Sequence, residues 1–193
     1  MKKIFFYGTA VLAVALFSFK AIESSTWSVD KGHSKLGFSV THLMVSDIEG
    51  SFKMTSATIT SSKEDFSDAV AELTADASSV NTENEQRDTH LKSADFFDAA
   101  KYPSITFKST SFKKISATKY KVKGDLTMHG VTKPVELDAL IRMGTNPMMK
   151  KTIAGVKLTG TIKRMEFGVG ASMPDAMLSN DVNIDANAEF MKN

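Results

Sequence analysis

From Trp27 onward, apolar and polar residues alternate with a period of two, the signature of strands with one buried and one wet face. In KLGFSVTH, Leu36, Phe38, Val40 and His42 share one face while Lys35, Ser39 and Thr41 share the other. YKVKGDLTM sets Tyr120, Val122, Leu126 and Met128 against Lys121, Lys123, Asp125 and Thr127. VELDALIRM sets Val135, Leu137, Ala139, Ile141 and Met143 against Glu136, Asp138 and Arg142. The pattern returns at Ala154, Val156, Leu158 and Ile162, and again at Val182, Ile184, Ala186, Ala188 and Phe190, opposed by Asn183, Asp185, Asn187 and Glu189. With weaker runs near 26–30, 50–60, 69–79 and 104–112, the reading is eight or nine strands. An antiparallel sheet of that length curls into a barrel or splits into a sandwich, and an all-β closed barrel is the preferred reading. Gly124, Gly155 and Gly160 fall inside strand patterns, where bulges or sharp bends are expected. HGVTKP reads as a tight turn, with Gly130 turning the chain and Pro134 at a strand start.

One connection is long, from about Asn81 to Pro103, and it predicts a short helical insertion near 82–101. TENE at 82–85 fits a capping box, with Thr82 as cap and Glu85 reaching back. Glu83 with Arg87 and Asp88 with Lys92 are acid-before-base pairs at i,i+4, so about three helical turns are expected. Ser93 or Asp95 then caps a second turn carrying Phe96, Phe97 and Ala100, before Pro103 extends the chain. The composition is that of a charged helical cap with an aromatic foot.

Ahead of the strands, Lys2 and Lys3 precede an apolar run from Ile4 to Phe19. A charged start and an apolar stretch of this length predict a secretory signal peptide over residues 1–21, with cleavage open between Ala15 and Ala21. The run is shorter than the roughly 20 residues of a membrane-spanning helix. A periplasmic or secreted location follows as the expectation, with a single barrel domain over 26–193. The chain has no cysteine, so no disulfide supports the fold and stability rests on burial in one core. Removing residues 1–21 takes three of the 24 basic residues, leaving 21 against 22 acidic ones and a net charge of about −1. A nucleic-acid partner has no electrostatic argument.

Catalytic chemistry leaves little trace. There is no G-x-S-x-G elbow, and His33, His42, His90 and His129 show neither H-E-x-x-H nor any i,i+4 spacing, so neither a catalytic nor a metal site is expected. His42 continues an apolar parity, which reads as a rim histidine bonded to a neighbour or as a polar group meeting a ligand in the lumen. Arg87 and Asp88 read as an ion-paired cap or as groups orienting a ligand's polar end.

Several blocks together resemble one family. They are WSVDKGHS, with Trp27, Asp30, His33 and Ser34; FSVTHLMVSDIEGSF, with Phe38, Val40, His42, Gly50 and Phe52; RDTHLKSADFFDAAKYPSITFKS, with Arg87, Asp88, His90, Leu91, Phe96, Phe97, Asp98, Tyr102, Pro103 and Phe107; GDLTMHGVTKPV; and RMEFGVG. In order and combination, over about residues 26–191, the chain resembles the YceI-like proteins, a polyisoprenoid-binding, lipocalin-like family. One departure is Glu166, where the family pattern has aspartate before Phe-Gly; the charge is unchanged. The resemblance implies an extended antiparallel barrel of about eight strands, with a long apolar channel for an isoprenoid chain such as a quinone tail or polyprenyl lipid. It also implies export, often a homodimer, no agreed catalytic set, and no cofactor other than the bound lipid.

Lumen candidates follow from parity and resemblance together: Phe38, Val40, His42, Phe52, Phe107, Leu126, Met128, Val135, Leu137 and Ile162, interleaved with small Ala139, Ala154 and Gly160. Arg87, Asp88 and His90 are the head-group or mouth candidates. A lipid carrier or reservoir with transient membrane contact is the leading expectation. An envelope hydrolase or metal-dependent enzyme using His and Asp stands second, and a stress-related protein-binding scaffold third. Parity alone does not separate an open lumen from a packed one.

Overall fold

The computed structural model describes residues 23–193; the signal-peptide expectation falls on residues outside these. The chain forms β1 (Ser25–His42), β2 (Ser46–Ser61), β3 (Val70–Asn81), α1 (Glu85–Lys92), β4 (Ser104–Lys114), β5 (Lys119–Met128), β6 (Val131–Asn146), β7 (Lys151–Lys163) and β8 (Leu178–Lys192). Each strand pairs antiparallel with the next, and β8 returns to β1, closing an eight-stranded up-and-down barrel. Closure leaves no unpaired strand edge among these eight. The runs at 26–30 and 35–42 belong to one strand interrupted by a bulge, where the register of β1 shifts between Ser28 and Leu36 against β2 and between Asp30 and Lys35 against β8.

Two glycine expectations are corrected. Gly155 and Gly160 lie in unbroken ladders opposite Glu189 and Ile184. Gly160 serves instead as a place for a neighbouring side chain to lie: a Cβ there would come 2.5 Å from Leu137 Cδ2. Gly50 and Gly124 do the same for the rings of Phe38 and Phe107. Gly124 also faces a register shift, between Ser109 and Ser111 of β4.

The two ends of the barrel differ. One end gathers the connections 62–69, 115–118 and 147–150 together with both ends of the sheet closure. It is sealed by Trp27 against Phe66 with ring centroids 5.4 Å apart, by Phe112 against Tyr120 at 6.0 Å, and by the Tyr120 hydroxyl donating to the Asp65 carbonyl at 2.8 Å. The opposite end gathers the connections 43–45, 82–103, 129–130 and 164–177.

At that second end the β1–β2 hairpin turns through Leu43 and Met44, with φ of 51° and 58°, and Val45 N–H donates to the His42 carbonyl at 3.1 Å. Two consecutive left-handed residues define the tight turn normally built from Asn-Gly, whose side chains tolerate that backbone. Here Leu and Met occupy it. Replacing Leu43→Asn together with Met44→Gly is expected to stabilise the barrel by about 1–2 kcal/mol, read as a higher midpoint in urea unfolding.

Candidate functional site

A long apolar cavity of about 170 Å³ runs inside the barrel. Nine of the ten sequence-selected lumen residues line it: Phe38, Val40, Phe52, Phe107, Leu126, Met128, Val135, Leu137 and Ile162. The polar residues among its walls are Thr58, Glu72 and Arg164. Inward strand parity places these side chains, and the cavity lies between two hydrophobic clusters. One cluster, around Trp27, Phe66, Tyr120 and Val122, seals the first end. The other, around Phe52, Phe96, Phe167 and Val169, sits beneath the connections of the second. Several wall residues of the second cluster, among them Leu36, Phe38, Val135, Leu178, Val182 and Ile184, are only half buried, as the surface of an open space is and a packed core is not.

His42 is corrected: it ends β1, is exposed, and is absent from the cavity walls. The strand stops there to turn, so its side chain passes the rim instead of facing the lumen.

The 82–103 connection also departs from expectation. The helix spans eight residues, just over two turns, and its cap is Asn84, whose side chain accepts from Arg87 N–H at 2.9 Å. Thr82 is buried and becomes a hub instead. Its hydroxyl donates to Asp88 Oδ1 at 2.6 Å and its N–H donates to the same oxygen at 2.9 Å. Arg87 Nε donates to that hydroxyl at 2.7 Å, and a terminal Arg87 nitrogen donates to the Thr82 carbonyl at 2.7 Å. Arg87 and Asp88 therefore turn inward to satisfy the backbone where β3 ends, a stronger demand on buried groups than exposed i,i+4 pairing. Neither lines the cavity, and His90 lies exposed against the Phe96 ring at 5.0 Å between centroids. It is Leu91, Phe96 and Phe97 of this segment that reach the cavity wall, with Phe97 edge-on to Phe52 at 5.1 Å.

Sequence reasoning gave no role to Arg164, which follows β7 in a 3-10 turn and is 3% exposed. Its Nε donates to the Ser179 carbonyl at 3.0 Å. One terminal nitrogen donates to Val169 at 3.0 Å and to the Gly170 carbonyl; the other donates to Met173 at 2.8 Å and Leu178 at 2.7 Å. All five N–H donors are thus occupied by backbone carbonyls, and none is free for a ligand. Burial pulls its pKa below the ordinary arginine value while Asp175 opposes the shift. The guanidinium fastens the 168–179 segment over the cavity. The signal was RMEFGVG, where a lone arginine precedes two glycines that both adopt positive φ, 76° at Gly168 and 57° at Gly170. Arg164→Leu orphans five carbonyls and is expected to cost at least about 3 kcal/mol, with Arg164→Lys recovering little of it; urea unfolding of the three proteins checks this.

Among the described residues, one group brings metal-type ligands together: Asp30, His33 and Glu189, on the β1 bulge and its β8 partner. None lines the cavity. Asp30 already accepts from Gly32 N–H at 2.9 Å and meets His33 Nδ1 at 2.9 Å, so the group is accounted for as the lock of the bulge. The hydrogen bond that His33 donates to the Asp30 carboxylate holds the imidazole above its ordinary pKa. The charged contact is therefore complete below about pH 6.5 and is lost as pH rises through the higher folded value. An NMR titration is expected to give a His33 midpoint above about 6.5, falling toward it in Asp30→Asn.

Comparison with known proteins places this geometry. The family model for the YceI-like domain matches residues 27–190. A UPF0312 protein of Staphylococcus aureus is 39% identical over 171 residues, covering 86% of this chain and 97% of that protein. The Campylobacter jejuni YCEI protein superposes with a TM-score of 0.70 at 35% identity, over 79% of this chain and 90% of that one. Burkholderia cenocepacia BcnA superposes with a TM-score of 0.73 at 25% identity, over 83% of this chain and 98% of that one. A polyisoprenoid binding domain from Saccharophagus degradans shares the fold, with a TM-score of 0.61 at 17% identity over 86% of this chain and 98% of that one. With a closed eight-stranded barrel, an apolar cavity and a family match across nearly all the described residues, the chain belongs to the YceI-like family.

Proposed function

We propose that this protein is an exported binding protein that holds an isoprenoid lipid, a quinone tail or polyprenyl chain, inside the barrel. The observation that carries the reading is the apolar cavity with half-buried walls. The polyisoprenoid binding of the Saccharophagus degradans domain with the same fold supports it, and the leader-like pattern of residues 1–21 supports export. A homodimer belongs to the same reading.

Magnitudes shape how loading works. A cavity of about 150 Å³ lined by aliphatic and aromatic side chains takes up benzene, so about 170 Å³ holds roughly one isoprene unit as it stands. A longer chain must displace wall residues. Met54 and Met128, with unbranched side chains, and Leu126 are suited to move. Each buried CH2 contributes about 0.8 kcal/mol, enough to drive such repacking, while ordering the chain offsets much of the gain and keeps binding reversible.

No polar cavity group forms a set for acid–base or nucleophilic work. The Asp30–His33–Glu189 group lies away from the walls. Mass spectrometry of an organic extract of the protein purified from its own host is expected to find an isoprenoid near one per barrel. Gly160→Ala, which drives Leu137 into the lumen, is expected to keep the fold and lower that occupancy and the uptake of added geranylgeraniol. An empty extract together with failure to take up added isoprenoids removes the reading.

A further inference from the structure

The second end of the barrel exposes apolar side chains where a hairpin tip would ordinarily be polar. Leu43, Met44 and Val45 are 50%, 79% and 83% exposed, and Met177 is 47% exposed. Met177 is tied to the tip, because Leu43 N–H donates to its carbonyl at 3.0 Å. The tip lies close along the chain to the cavity wall. Val40 lines the cavity three residues before Leu43, and Leu178, paired with His42, lines it directly after Met177. Exposed apolar side chains thus stand beside the cavity wall between the β1–β2 turn and the segment that Arg164 fastens, joined to it directly at Met177 and Leu178.

We propose that this tip is a membrane-docking wedge that dips into a lipid bilayer and sets the cavity portal against the hydrocarbon from which the ligand is drawn. A tip of four side chains is far smaller than the roughly 800 Å² per partner of a stable protein interface, whereas shallow bilayer contact needs only a few buried apolar groups. The charged residues nearest in sequence are Asp47 and Asp175, so the contact is apolar and does not require anionic lipid. The opposite end also exposes Ile115, Met148 and Met149, but Lys113 and Lys114 precede the first, Lys150 and Lys151 follow the others, and that end of the lumen is sealed by Trp27 and Phe66.

The inference rests on the lipid reading for the purpose of the contact, yet the contact is measured without any ligand. Residues 25–192 supply every strand of the barrel, so the chain from residue 23 is used, free of the apolar segment before it. The absence of cysteine permits Met44→Cys and Met148→Cys to carry a single environment-sensitive fluorophore each. With vesicles of brominated phosphatidylcholine, quenching is expected at position 44 and not at 148. No quenching at 44, or equal or stronger quenching at 148, overturns the proposal. Leu43→Asn with Met44→Gly, which suits the turn and keeps the fold, is expected to lower co-sedimentation with phosphatidylcholine vesicles by about tenfold or more. The same variant is expected to slow geranylgeraniol uptake from vesicles and leave uptake from ethanol dispersion unchanged. Wild-type co-sedimentation of the variant sinks the wedge while the cavity reading stands; vesicle contact without uptake from either source sinks the cavity reading alone.

Discussion

An eight-stranded ring encloses an interior that side chains can just fill, and the character of this protein depends on how that small volume is divided. Near one end it is filled by Trp27, Phe66, Phe112 and Tyr120. Farther along, Gly50, Gly124 and Gly160 remove side chains from the inner face, and Phe38, Phe107 and Leu137 lie down over them. The rings flatten against the wall instead of meeting across the axis. A narrow apolar space remains, and a single methyl group in the wrong place would close part of it.

Much of the fold was legible because alternation is a direct imprint of a sheet with one dry face. The inward positions of β1, β5, β7 and β8 follow from parity, as do those of β6 up to Ile141, beyond which Met143 is exposed; nine of the ten selected lumen residues line the cavity. Of the two positions read for His42, the rim holds and the lumen does not, because parity says nothing about where a strand ends. The 82–103 connection was harder still. Its composition announced a capped helix, but the burial of Thr82 decides which side chains answer its backbone, and burial of a strand terminus is set by the neighbouring connections rather than by local sequence. Beyond the two glycines that follow it, Arg164 left no trace of its partners for a related reason: its five acceptors are backbone carbonyls spread over residues 169–179, and a carbonyl is a group every residue shares.

Polar chemistry at this end of the barrel is consequently self-contained. Arg87 and Asp88 are committed to Thr82 and Arg164 to its own segment, so the charged residues brace the connections while Leu91, Phe96 and Phe97 present the apolar surface to the lumen. A ligand enclosed here is held chiefly by shape and apolar contact.

The seam between β1 and β8 joins the first and last strands of the domain, as in the pairing of Trp27 with Lys192. During synthesis no ring exists until the last fifteen-residue strand has emerged. Every shorter nascent chain carries two open strand edges and an uncovered apolar face. Closing contacts between residues as far apart as Trp27 and Lys192 is entropically slow, so the unclosed chain is the aggregation-prone species. The molecule that ends without edges begins with both exposed, so its solubility depends on the last strand to arrive.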